Sequence, residues 1–272
     1  MNLLDGLQIS HISLKVADLD QMTNFYHKVI GLNILEKTNN ISLLGVENRV
    51  IIELVEVKNS SWGHQYNGLY HIAILLPSEV DLANMLLHLA QYNIRLGASD
   101  HGFSHALYLN DPEGNGIEIY ADQPKVIWPY LNNSLDIVTK RLDLRELASL
   151  ATTNNLQSLP PQTVIGHIHL QMKDLNGFRQ FYLEKLQMDL QIETPNALFA
   201  SVDGYHHHIA ANNWNSPIGP LPDKYLGLNY FAIKAKNFNT LKDILKNEPT
   251  FIESQNTFIV TCPNGIKIVF EQ

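Results

Sequence analysis

Apolar and polar positions alternate through HISLKV, residues 11–16, the period of a strand with one face in a core. The next stretch, ADLDQMTNFYHKVIG, residues 17–31, changes to helical spacing, with an Asp placed to cap the first turn and a Gly to close the last. Short alternating segments separated by Gly and Asn turns follow. At YHIAILLP, residues 70–77, the order restarts with a strand, the helical pattern SEVDLANMLLHLAQYNI and further strands. This part of the chain therefore reads as βαβββ, twice.

The pattern then repeats at a larger scale. ISHISLKVADLDQMTNFYHKVIGLNI, from Ile9, aligns without a gap on IGHIHLQMKDLNGFRQFYLEKLQMDL, from Ile165. His11 falls on His167, Asp18 on Asp174, and Phe25-Tyr26 on Phe181-Tyr182; at the same offset Ile51 meets His207 and Ser13 meets His169. GLYHIAILL resembles GLNYFAIKA, placing His71 opposite Tyr230, and DPEGNGIEIY resembles CPNGIKIVF, placing Glu118 opposite Lys267. A duplication of this kind divides the chain into a first domain over residues 1–125 and a second over 162–272, each of two modules. Residues 126–161 join them, helical in spacing from Asp136 and ending in a Ser/Pro-rich linker.

Composition narrows the function. The 272 residues are 45% hydrophobic and carry a net charge of −8, without the basic runs that phosphate backbones require, so nucleic acid is not an expected partner. No basic, apolar leader opens the chain and no apolar run suits a membrane; with the lone Cys262 excluding an internal disulfide, the expected setting is the reducing cytoplasm. Twelve histidines stand out, three of them consecutive at His206, His207 and His208. On a strand the alternation would turn His207 to one face and His206 and His208 to the other.

The four-module arrangement, the FY…GL helix and HGFSHALYLNDPEGNGIE, residues 101–118, resemble the vicinal oxygen chelate superfamily, and within it the two-domain bacterial extradiol dioxygenases of the catechol-2,3-dioxygenase type. The resemblance covers nearly the whole chain. It implies an α+β fold of four βαβββ modules in two tandem domains. It also implies ring opening of an aromatic diol by O2 at a non-haem Fe(II), with Mn(II) or another divalent ion as the alternative metal.

Such chemistry uses two His and one carboxylate on one side of the metal and leaves the other positions open. By the resemblance, ligands come from the first and last strands of modules. Module two offers His71 and Glu118 there, whereas module four offers Tyr230 and Lys267, a pair unsuited to a divalent cation. The third ligand is His167 if modules two and three share the pocket, and His11 if the pocket lies within the first half. His169 and His207 accompany His167, while module one has Ser13 and Ile51 in their places, which favours His167. The resemblance further assigns His207 to proton handling beside the oxygen site, and His101 and Tyr108 to the substrate hydroxyls. His105, in the same loop, is an alternative to His101. Two other functions suit the same family: a glyoxalase-like lyase or isomerase with His207 as a fourth ligand, and a metal-free protein that sequesters a small molecule. A homo-oligomer is compatible with any of these.

Overall fold

The computed structural model describes residues 3–131, 134–136 and 138–272. Module one comprises β1 (Gln8–Val16), α1 (Leu19–Lys28), β2 (Asn33–Lys37), β3 (Ile41–Val46) and β4 (Arg49–Glu56), followed by the short β5 (Ser61–Trp62). Module two is β6 (Gly68–Leu75), α2 (Glu79–Leu89), β7 (Gly97–Asp100), β8 (Ser104–Asn110) and β9 (Gly116–Asp122). The connection holds β10 (Tyr130–Leu131), β11 (Ser134–Leu135) and α3 (Leu144–Ser149). Module three is β12 (Val164–Gln171), α4 (Leu175–Phe178) with a wider-turned continuation over Arg179–Lys185, β13 (Asp189–Thr194), β14 (Ala197–Ser201) and β15 (Ile209–Asn212). Module four is β16 (Tyr225–Lys234), α5 (Phe238–Leu245), β17 (Ile252–Glu253), β18 (Thr257–Thr261) and β19 (Lys267–Glu271). The four βαβββ modules are thus present.

Strand pairing crosses between the two halves of the duplication. Modules two and three share one sheet, ordered β7-β8-β9-β6-β12-β15-β14-β13, with β6 and β12 antiparallel at its centre. Modules one and four share the other, ordered β2-β3-β4-β1-β16-β19-β18-β17. The two sheets meet where Ile9 of β1 faces Ile165 of β12.

Helices cover one face of each sheet. Asp18 caps α1 by accepting from the Gln21 N–H, and Ser78 caps α2 through Asp81. Leu19, Met22 and Tyr26 of α1, and Leu82, Met85 and Leu89 of α2, are buried at the spacing of one helical stripe. Strand residues pointing toward the helices, such as Ile72 and Ile74 of β6, complete the main core. Alternation sends His71 and Ala73 to the opposite face.

Two expectations fail in detail. Helical structure does not start at Asp136. Val138 and Thr139 run along a cavity, Lys140 pairs with Asp100, and α3 begins only after Asp143 accepts from the Arg145 and Glu146 N–H groups. The histidine triplet is not on a strand either. It lies in the irregular segment before β15, so alternation does not govern it, and His206 does not face away. Among the described residues, no helix is long and apolar enough to cross a membrane.

Candidate metal centre

The sheet of modules two and three builds the site by register. Ala73, near the end of β6, lies opposite His167 of β12 on one side and Glu118 of β9 on the other. Residues paired across neighbouring strands project to the same face. His71, two residues before Ala73, projects to that face as well. The methyl group of Ala73 forms a low floor between three longer side chains.

The three polar ends converge above it. Glu118 Oε2 lies 3.0 Å from His71 Nε2 and 3.3 Å from His167 Nε2, and the two imidazole nitrogens are 3.3 Å apart. Ligand atoms about 2.1 Å from one metal and at right angles to each other are about 3 Å apart, so the triad fits three neighbouring positions around a small divalent ion. All three residues are buried. Burial alone would push the Glu118 carboxyl up, but the His167 and His71 imidazoles outweigh it and hold Glu118 well below the usual carboxylate range. Burial lowers His167 to about 4 despite Glu118, which leaves a neutral imidazole ready to ligate. Its Nδ1 is buried without a hydrogen-bond partner.

The triad opens into a cavity of about 620 Å³. Phe103, Phe199, Ile192 and Trp214 supply apolar walls, and Tyr70, His101, Tyr108, His169 and His207 the polar ones. Tyr108 sits opposite Glu118 in the β8–β9 ladder, and its hydroxyl is 2.8 Å from His101 Nε2. Burial and the nearby Glu118 push the Tyr108 phenol well above its ordinary value, so it stays protonated. His207 lies on the other flank, its ring centroid 4.0 Å from that of His167. Burial, together with His167 and His206, drives His207 well below the ordinary imidazole value, so it is neutral.

The structure thus gathers His71, Glu118, His167, His101, Tyr108 and His207 around one cavity. His11 is elsewhere: its Nε2 is 3.3 Å from the Tyr230 hydroxyl, and it lines a separate cavity of about 700 Å³ with Glu53 and Glu271. His105 turns from the site to Glu79. Sequence reasoning gave no role to Tyr70 or Trp214, which pack edge to face beside His169, or to Asn212, whose side-chain nitrogen is 2.9 Å from His169 Nε2. Nor did it find His206, whose ligand atom lies within 4.8 Å of those of His167 and His207. No spacing rule joins these residues: Tyr70 and Trp214 line the cavity, while Asn212 and His206 lie behind the His169 and His207 rings that do.

Comparison with known proteins agrees with this architecture. Residues 8–119 match the model of the Glyoxalase/Bleomycin resistance protein/Dioxygenase superfamily. A catechol-2,3-dioxygenase of Bacillus subtilis (strain 168) is 35% identical over 281 aligned residues, covering 98% of each chain. Among solved structures, a Bacillus subtilis (subsp. subtilis str. 168) protein described provisionally as a dioxygenase superposes with a TM-score of 0.65 at 13% identity, over 97% of this chain and 84% of that one. Glyoxalase I from Zea mays gives a TM-score of 0.57 at 17% identity, over 98% and 92%. Those two likenesses establish fold alone, but with the full-length relative they leave one assignment: this chain belongs to the glyoxalase/bleomycin resistance protein/dioxygenase superfamily.

Proposed function

We propose that the protein is an extradiol dioxygenase that opens a catechol-type diol with O2, using a ferrous ion held by His71, Glu118 and His167. The observation that carries this reading is the two-histidine, one-carboxylate triad at the base of a cavity with aromatic walls. Its three donors crowd to one side and leave the cavity side open, as a metal that must accept both a diol and O2 requires. The relative named catechol-2,3-dioxygenase supports the same substrate class.

Bound there, Fe(II) would supply the redox chemistry with O2. The protein's own part is positioning and proton handling. Phe103, Phe199 and Trp214 give the cavity aromatic walls that favour a flat aromatic ring. The Tyr108 hydroxyl, paired with His101, can both donate to and accept from a substrate oxygen. His207, neutral on the opposite flank, can take a proton and return it during ring opening. The test is direct: metal-depleted protein reloaded with Fe(II) consumes O2 and turns catechol yellow in air. Stoichiometric iron without O2 uptake across a panel of substituted catechols overturns the reading.

One observation favours a second reading. The ring of His207 packs against that of His167 at a centroid distance of 4.0 Å, so a turn of His207 toward the triad would give the four-ligand shell of a glyoxalase-like lyase or isomerase. In that case His207→Ala loses the metal, and the iron-loaded wild type leaves O2 untouched.

A further inference from the structure

His206 is the member of the triplet that strand alternation would have sent away from the site, yet it is fully buried beside it. Its ring lies between Tyr205, at a centroid distance of 4.0 Å, and Phe103, at 4.5 Å, with Trp128 at 5.5 Å. A ring covered on both faces has only its edge nitrogens for polar contacts. Nε2 lies 3.1 Å from Asp122 Oδ1, and Nδ1 lies 2.8 Å from His207 Nδ1. Asp122 ends β9, the strand that carries Glu118. It also accepts from the Tyr205 hydroxyl at 3.0 and 3.2 Å, and that hydroxyl is 2.7 Å from Tyr120.

The proton positions follow from what each group can do. Asp122 already accepts from the Tyr205 hydroxyl and acts toward His206 as an acceptor too, so His206 Nε2 carries hydrogen toward Asp122. With that N–H as the only one on the His206 ring, its Nδ1 keeps a lone pair. At 2.8 Å one of the two facing nitrogens must donate, and this falls to His207 Nδ1. A His207 ring with one N–H then carries it at Nδ1, and Nε2 is the acceptor nitrogen it presents.

We propose that Asp122 and His206 are positioning residues that hold His207 in its Nδ1–H tautomer and fix the direction of its basic nitrogen. This rests on the reading of His207 as the proton-handling residue. Neither residue touches the substrate. Both act through the ring of His207, as outer carboxylates orient histidines elsewhere.

The experiment reads the tautomer itself. Protein with ¹⁵N-labelled histidine is loaded with Zn(II), a diamagnetic ion, and compared as wild type, Asp122→Asn, Asp122→Ala and His206→Gln, with His207→Gln used to assign the signal. The expected result is His207 protonated at Nδ1 in the wild type, and at Nε2 or as a mixture in the Asp122 variants. In iron-loaded protein those variants keep their iron and their KM for catechol, while kcat falls about 10- to 100-fold. In a His207→Ala background, Asp122→Ala produces no further loss.

Three results overturn the proposal: His207 protonated at Nε2 in the wild type, the same tautomer in Asp122→Ala, or an equal loss of kcat in the His207→Ala background. A second zinc per chain that disappears in His206→Gln overturns it as well, because His206 Nδ1 would then be a ligand. Wild-type turnover in iron-loaded His207→Ala would instead sink the functional role of His207, while the spectra still decide the tautomer.

Discussion

His167 Nε2 and Glu118 Oε2 lie 3.3 Å apart although 49 residues separate them in the chain. Two strand pairings produce that contact, β12 with β6 and β6 with β9, and both place Ala73 between the two residues. The duplication therefore does more than double a domain. By pairing the first strand of module two with that of module three, it assembles one polar face from two halves that each hold only part of it.

Removal of any member of the triad should therefore remove the metal. His71→Ala, Glu118→Ala and His167→Ala are expected to lose stoichiometric iron and ring-cleaving activity, because two ligands cannot hold ferrous ion against buffer. His11→Ala, in the other sheet and its own cavity, is expected to keep both. Elemental analysis after gel filtration checks this. Full iron in His167→Ala together with loss in His11→Ala would move the pocket into the first half of the chain.

The floor is as specific as the ligands. Ala73 is fully buried with Ala106, Tyr120 and Tyr108 around it. Ala73→Leu adds a branched side chain where the three donor groups converge. We expect at least a tenfold loss of iron affinity, with a packing cost of about 1–3 kcal/mol from overfilling. Ala73→Gly, which leaves the space open, should retain iron. Equal iron content in the Leu variant and the wild type would mean that the cation does not sit above this strand.

Much of this arrangement was legible in the chain. His71, Glu118 and His167 could be proposed because strands alternate and the duplication shows which positions correspond, so the counterparts Tyr230 and Lys267, unsuited to a cation, set module four aside. The pairing of modules two and three was favoured by His169 and His207 for the same reason. Strand alternation does not reach the triplet, because its residues precede β15. No local signal marks that boundary, since the pairing of β15 with β12 and β14 sets it. Asp122 and Tyr205 were invisible because their contacts with His206 come from tertiary packing, with Asp122 84 residues away from it in the chain.

The position of the triplet yields a graded set of effects. His207→Ala should retain iron and lose roughly 10²–10⁴-fold in turnover, the usual range for an acid–base group. His208 faces the separate cavity around His11, where its Nδ1 accepts from the Val202 N–H at 3.3 Å. His208→Gln should change turnover less than threefold. Oxygen uptake in samples matched for iron decides, and equal losses in the two variants would mean that the segment acts only as a packed unit.

Buried imidazoles also set a pH dependence of stability. Burial lowers His208 to about 4, with His206 adding to the effect, and His167 to about 4; His169 and His207 are driven well below their ordinary value by the same cause. In the unfolded chain each imidazole returns to about 6.5. Between those values the unfolded chain binds protons that the folded chain refuses, so stability is complete above about pH 6.5 and falls as the pH drops toward 4. Glu118, held low in the fold, contributes in the same direction at still lower pH. For His208, lowered to about 4, this is a loss of about 2 kcal/mol by pH 5 relative to pH 7. His208 offers the cleanest test, because it lies outside the metal triad. Metal-free His208→Gln should lose about 2 kcal/mol less than wild type between pH 7 and pH 5, a difference of roughly 4–8 °C in the pH-induced shift of Tm. Identical shifts in the two proteins would show that His208 is charged within the fold.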